Sequence, residues 1–129
     1  MSEMSCSFLS NNIISFLKKQ DIFKNAGLIF LYASCNNEVD TRDLMTELIE
    51  EGRRFALPRS YILNGSPHMD FYEISSLLDL TPGYKGIPEP DIRKSTVKKV
   101  TGQKPDLVIM PGVAFDRSCN RIGYGKGFY

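Results

Sequence analysis

Two unbroken apolar runs constrain this chain more than any other feature: GLIFLY at residues 27–32 and DLVIMP at residues 106–111. A strand with one wet face alternates apolar and polar side chains. A run of strand length with no alternation suits a strand covered on both faces, as in a parallel sheet. Between the two lies a helical stretch, residues 42–51, with Leu44, Leu48 and Ile49 on one side. Thr41 stands at its cap position and Gly52 at its end, the usual punctuation of a helix. RRFALP at residues 53–58 reads as the next strand. Strand, helix and strand with short connections make a βαβ unit with a right-handed crossover.

The remaining elements extend this frame. Residues 11–20 read as a helix capped by Ser10, with Ile13, Ile14, Phe16 and Leu17 as its apolar stripe. Lys18 and Lys19 fall near its end, where the helix dipole favours cations. Asn64-Gly65 is a turn signal, and residues 68–74 read as the strand that follows it. Residues 79–105, rich in Pro, Gly and charge, read as a long surface excursion. The expected class is α/β: a mainly parallel open sheet with helices on both faces, a three-layer αβα arrangement, in a single domain over residues 1–129.

Composition narrows the function classes. Sixteen basic residues against fifteen acidic ones leave a formal charge of +1, which gives no general reason to bind nucleic acid or an anionic membrane. No apolar run reaches the roughly 20 residues of a membrane span. Residues 1–12 have neither the basic start nor the apolar core of a secretory signal. The three cysteines, Cys6, Cys35 and Cys119, are widely spaced and read as free thiols in a reducing, cytoplasmic setting.

Ligands of α/β sheets bind beyond the carboxyl ends of the strands. Three loops are placed to line such a mouth: residues 33–40, 58–60 and 112–129. The last ends NRIGYGKGFY, with Gly123, Gly125 and Gly127 in strict alternation. Such a loop lets the backbone approach a ligand and turns successive N–H groups towards an anion. Arg121 and Lys126 add cations suited to phosphate oxygens. The spacing is neither a Walker A motif nor a dinucleotide fingerprint. By glycines alone, a flexible loop without a ligand is an open alternative.

The sequence around this loop resembles the signature of the 5-formyltetrahydrofolate cyclo-ligase (methenyltetrahydrofolate synthetase) family. Members carry an apolar strand, then Pro-Gly-x-x-Phe-Asp, then Gly-Asn-Arg-x-Gly-x-Gly-x-Gly-Tyr/Phe-Tyr-Asp. Here Pro111, Gly112, Phe115, Asp116, Asn120, Arg121, Gly123, Gly125, Gly127, Phe128 and Tyr129 match, while Cys119 replaces a glycine. Upstream, LYASCNNEVDT, ALPRS, HMDFYEI and GIPEPD also resemble family segments. Family members are longer at both ends, with a basic N-terminal helix and an Asp after the final Tyr that helps hold magnesium. The sequence ends at Tyr129, so a fragment of a cyclo-ligase domain, incomplete in its C-terminal part and without that metal ligand, is expected.

The resemblance implies an enzyme that uses ATP and Mg2+ to convert 5-formyltetrahydrofolate into 5,10-methenyltetrahydrofolate, releasing ADP and phosphate. It implies no nucleic-acid or membrane partner, and members are often monomeric. It assigns Arg121 and Lys126 to catalysis at the phosphates. ATP would contact Arg121, Ile122, Gly123, Tyr124, Gly125, Lys126, Gly127, Phe128 and Tyr129. The folate would contact Leu31, Glu38, Tyr124, Gly125, Lys126, Gly127 and Phe128. Asp116 reads as a turn former or a ligand, and Arg59 as the partner of a surface acid or of substrate. His68 reads as structural or surface, and Met69 as core or folate contact. The alternative function is a nucleotide- or folate-binding relative, or a fragment, without turnover.

Overall fold

The structure, a computed structural model, describes residues 3–34, 39–83, 86–111, 114–115, 117–118 and 120–122; for 3–8, 114–115 and 121–122 it describes the backbone alone. In chain order the elements are α1 (Glu3–Lys18), α2 (Asp21–Lys24), β1 (Leu28–Phe30), α3 (Arg42–Glu50), β2 (Arg54–Leu63) and β3 (Ser66–Glu73). A 3-10 turn (Leu77–Asp79) follows, then β4 (Leu80–Pro82), β5 (Pro88–Pro90), β6 (Lys98–Lys99), β7 (Leu107–Val108), β8 (Ala114–Phe115) and β9 (Arg121–Ile122).

The main sheet has the order β6-β3-β2-β1-β7. β1 is flanked on both sides by parallel neighbours, with Ile29 opposite Phe55 on β2 and Leu107 on β7. This is the parallel core expected from the two apolar runs, and the α/β class holds. The sheet is mixed, however. Asn64 and Gly65 have positive φ, 51° and 77°, and close a two-residue hairpin. Such a turn joins only antiparallel strands, so β3 returns along β2 from Leu63 opposite Ser66 to Ala56 opposite Glu73. β6 then pairs antiparallel with β3.

One hydrophobic core joins the helices to the sheet. Phe23 of α2 and Leu44, Met45 and Leu48 of α3 pack with Ile29, Leu31, Phe55, Leu57 and Ile74, and Ile14 and Leu17 of α1 border the cluster. Ile29, Leu31, Phe55 and Leu57 share one face of the sheet by strand alternation. The described helices therefore cover that face, and none is described on the other. There Phe30 stacks on Phe71 at a centroid distance of 4.0 Å. Val108 stands at the end of the described sheet order and is 44% exposed, more open than its apolar run suggested.

Two expected caps are corrected. α1 begins seven residues before Ser10, which is buried within it; the Ser10 hydroxyl accepts a hydrogen bond from the Asp40 N–H instead. The side chain of Thr41 does not cap α3. Asp40 takes that part, its Oδ1 accepting from the Arg42 N–H at 3.0 Å, because a carboxylate reaches the free N–H groups of a first turn.

The excursion over residues 79–105 is also more ordered than its composition implied. β4 and β5 pair antiparallel, Leu80 opposite Pro90. The buried Asp79 gathers this segment, accepting hydrogen bonds from the N–H groups of Ser75 and Ser76 and from the Thr96 hydroxyl.

Candidate functional site at the carboxyl ends of the parallel strands

The chain leaves β1 through Leu31 and Tyr32. Residues 58–60, expected as a mouth loop, instead lie inside β2, which is paired with β3 from Ala56 to Leu63 and runs on past the end of β1. The loop after β1 is fastened at its base. Thr41 Oγ1 donates to the Tyr32 carbonyl at 2.7 Å, and Tyr32 Oη donates to the Val39 carbonyl at 2.9 Å. The Ser34 hydroxyl donates to Asp40 Oδ1 at 3.2 Å and accepts from the Thr41 N–H at 3.3 Å. The Arg42 guanidinium holds the Asp40 carboxyl below the usual range, a pull opposed in part by burial. These bonds satisfy backbone groups that neither helix nor sheet would use, and they set where the loop departs and returns. Glu38 lies outside the described residues.

Leu31 and Tyr32 are both buried, Leu31 completely. Leu31 is a member of the core cluster, at the carboxyl end of β1 but enclosed by other side chains. Beyond Leu57, the next β2 residue on the same face is Arg59. Its Nε lies 3.8 Å from Oε1 of Glu89 on β5, and its guanidinium stands 5.9 Å from the centre of the Tyr61 ring. Tyr61 stacks in turn on the exposed His68 across the hairpin, with centroids 5.5 Å apart. Met69 is half-buried.

β7 ends beside β1, where Ile109 donates to the Phe30 carbonyl at 2.8 Å. Pro111, which opens the expected signature, is buried at this same end of the sheet. β8 and β9 form a small antiparallel pair with Phe115 opposite Arg121 and Ala114 opposite Ile122. Arg121 and Ile122 thus stand on the return strand of a hairpin that follows β7. Their side chains, and Asp116, Gly123, Tyr124, Gly125, Lys126, Gly127, Phe128 and Tyr129, lie outside what is described. Cys35 and Cys119 do too, as does the side chain of Cys6.

A cleft of about 640 Å³ lies at the opposite end of the sheet, lined by Arg53, Arg54, Glu73 and Lys98 among others. It sits at the amino ends of the parallel strands, and the Arg54 fork is closed on Glu73 at 2.8 and 2.9 Å. Neither fact favours it as the ligand mouth.

The amino-acid sequence matches the family model described as "5-formyltetrahydrofolate cyclo-ligase family" over residues 9–129. The chain belongs to the 5-formyltetrahydrofolate cyclo-ligase family. The mouse protein named 5-formyltetrahydrofolate cyclo-ligase is 32% identical over 113 residues, which cover 83% of this chain and 53% of the mouse protein. A probable cyclo-ligase of Schizosaccharomyces pombe is 36% identical over 95 residues, covering 71% of this chain and 44% of the yeast protein. The solved structure of Aquifex aeolicus 5,10-methenyltetrahydrofolate synthetase superposes with a TM-score of 0.80 and 33% identity, covering all of this chain and 62% of that one. The chain thus spans about half the length of the curated relatives it matches.

Within this cyclo-ligase frame, several mouth residues escaped the sequence reading. Ser34 and Asp40 act together with Thr41, which the sequence marks only as a helix cap, and their own local signal is no more than a polar loop before a helix. Glu89 lies in the family-like GIPEPD segment, but nothing in its spacing announced a partner thirty residues upstream.

Proposed function

We propose that this chain performs, as an α/β unit of a cyclo-ligase domain, the ATP-dependent conversion of 5-formyltetrahydrofolate to 5,10-methenyltetrahydrofolate. ADP and phosphate are the other products, and the setting is cytoplasmic. The observation that carries the reading is the match over residues 9–129, with its signature segment leaving β7 at the carboxyl end of the parallel strands.

In this reading the formyl oxygen of the folate attacks the γ-phosphorus of ATP, and ADP leaves. N10 then closes on the activated formyl carbon, and the transferred phosphate departs with the former formyl oxygen. Such chemistry asks the protein mainly to align the reactants and to balance charge. Arg121 and Lys126 neutralise the phosphates, and the backbone N–H groups around Gly123, Gly125 and Gly127 receive their oxygens. Glu38 orients the folate near its reacting nitrogens, while Leu31, enclosed in the core, supports the strand end beneath the site without touching ligand. Among the described residues no group of three His, Cys, Asp or Glu side chains gathers to hold a metal ion. The mouth carboxylates Asp40 and Glu89 are both engaged by arginines. In this reading magnesium arrives with the nucleotide, most of its ligands being ATP oxygens and water. No described helix is long and apolar enough to cross a membrane.

The test is to incubate the purified chain with 5-formyltetrahydrofolate, ATP and magnesium, and to follow methenyltetrahydrofolate and ADP together. Equimolar, ATP-dependent formation of both supports the reading. Binding of both ligands without product gives the non-catalytic alternative, and binding of neither overturns the assignment.

A further inference from the structure

Five arginines with described side-chain contacts differ in how their guanidinium is used. Arg42 is closed on Asp40 at 3.2 and 2.9 Å, Arg54 on Glu73 at 2.8 and 2.9 Å, and Arg93 on Asp91 at 2.9 and 3.0 Å. Arg53 donates to the carbonyls of Phe23 and Ala26. These four have spent their forks on hydrogen bonds.

Arg59 has not. Its ion pair with Glu89 is 3.8 Å long, beyond hydrogen-bond reach, and it makes no hydrogen bond among the described residues. Yet it is held: its side chain is 33% exposed, that of Glu89 only 16%, and the Tyr61 ring lies under the guanidinium. Glu89 is itself fixed by β5, which pairs with β4, and by contact with Gly83, where a β-carbon would come within 2.0 Å of its carboxyl carbon. The register of β1 against β2 runs Phe30 to Ala56; continued, it brings Arg59 level with Ala33, at the start of the mouth loop. A planar cation with unused donors, oriented but not consumed, at the ligand-binding end of the sheet, is built to receive an oxyanion in a two-pronged fashion.

We propose that Arg59 binds an oxyanion of a substrate at the mouth, and that Glu89 is the positioning residue that aims it. This rests on the functional reading above, which supplies two sources of that chemistry: a carboxylate of 5-formyltetrahydrofolate and a phosphate of ATP. Glu89 restrains the guanidinium by charge at a distance, which fixes its direction while leaving its N–H groups to the ligand. A structural ion pair would instead close at hydrogen-bond distance, as the other three do.

The experiment is calorimetric titration of the chain with 5-formyltetrahydrofolate and with ATP, separately, for wild type, Arg59→Gln, Arg59→Lys and Glu89→Gln. Arg59→Gln is expected to weaken one ligand by roughly tenfold to a hundredfold, the size of a lost hydrogen bond to a charged group. The ligand affected identifies the source of the oxyanion. Arg59→Lys, which keeps the charge but not the fork, recovers only part of that loss and serves in place of Arg59→Gln if the latter fails to fold. Glu89→Gln weakens the same ligand, and adding it to Arg59→Gln produces no further loss, because a positioning residue acts only through what it positions. Unchanged affinity for both ligands in Arg59→Gln and Arg59→Lys, with wild type binding, overturns the assignment of Arg59 alone. Additive losses in the double variant overturn the role of Glu89. A wild-type chain that binds neither ligand overturns the functional reading, and this inference with it.

Discussion

The hydroxyl of Thr41 donates to the carbonyl of Tyr32 at 2.7 Å, joining the last residue before α3 to the segment that leaves β1. Thr41 is 1% exposed, so no solvent replaces this bond if it is lost. The two residues stand at the two ends of the mouth loop, and the bond sets the width of the loop's base.

Thr41→Val keeps the shape and removes the donor. It is expected to destabilise the fold by about 1–3 kcal/mol, the cost of leaving a buried carbonyl unpaired. Thr41→Ser keeps the donor and should recover most of that loss. Urea denaturation of the three proteins checks the order; equal midpoints for Val and Ser would show that the bond contributes nothing.

Gly83→Ala places a β-carbon 2.0 Å from Cδ and 2.2 Å from Oε2 of Glu89. The obstructing atoms are the end of a flexible side chain, so Glu89 swings away at a stability cost of about 1 kcal/mol. Its hold on Arg59 is lost in the movement. The variant should therefore mimic Glu89→Gln in ligand affinity while melting close to wild type. The Arg59 side-chain NMR resonance should shift in both; an unmoved resonance in Gly83→Ala would show that Glu89 had found another way to the same place.

Asp79 predicts how the fold responds to acid. Burial pushes its pKa up, but the N–H groups of Ser75 and Ser76 and the Thr96 hydroxyl outweigh that and leave it lowered. A carboxyl lowered in the folded state stabilises fully above its unfolded pKa, about 3.9, and loses that contribution as pH falls through the lowered value. Asp40, Glu73 and Asp106 shift in the same direction. The melting temperature should therefore hold above about pH 5 and decline steeply below about pH 4. Asp79→Asn should melt several degrees lower at neutral pH and show a shallower acid decline. Parallel curves for the two proteins would remove Asp79 from this account.

Lys126→Ala tests the phosphate role assigned to the glycine loop. ATP use should fall about a hundredfold or more, since a cation that meets charge developing on a transferred phosphoryl group acts mainly in the transition state. Affinity for 5-formyltetrahydrofolate should change little. Equal loss of both would place this side chain at the folate.

Much of the frame was legible from local pattern. The unbroken run around Ile29 suits a strand covered on both faces, as in a parallel sheet, and β1 has parallel neighbours on both sides. Gly52, at φ 68°, and Asn64-Gly65 stop or turn the chain for reasons intrinsic to their own backbones. The family signature was equally local, a spacing of residues readable without coordinates. What local pattern missed was the order of residues 79–105, since Asp79 organises that segment through Thr96, seventeen residues away. It also missed the true cap of α3: Asp40 and Thr41 are both plausible caps by type, and only the packing of the Thr41 hydroxyl against the end of β1 decides between them.

The sequence by itself determined the strands β1, β2, β3 and β7, the hairpin turn and the family, because each depends on side-chain spacing along one short stretch. The tertiary structure alone decided that β6 joins the sheet antiparallel to β3, that Leu31 is enclosed in the core, and that Arg59 faces Glu89 from a strand thirty residues away. Those outcomes depend on which distant segments come to lie side by side, and no periodicity within either segment encodes the other's position.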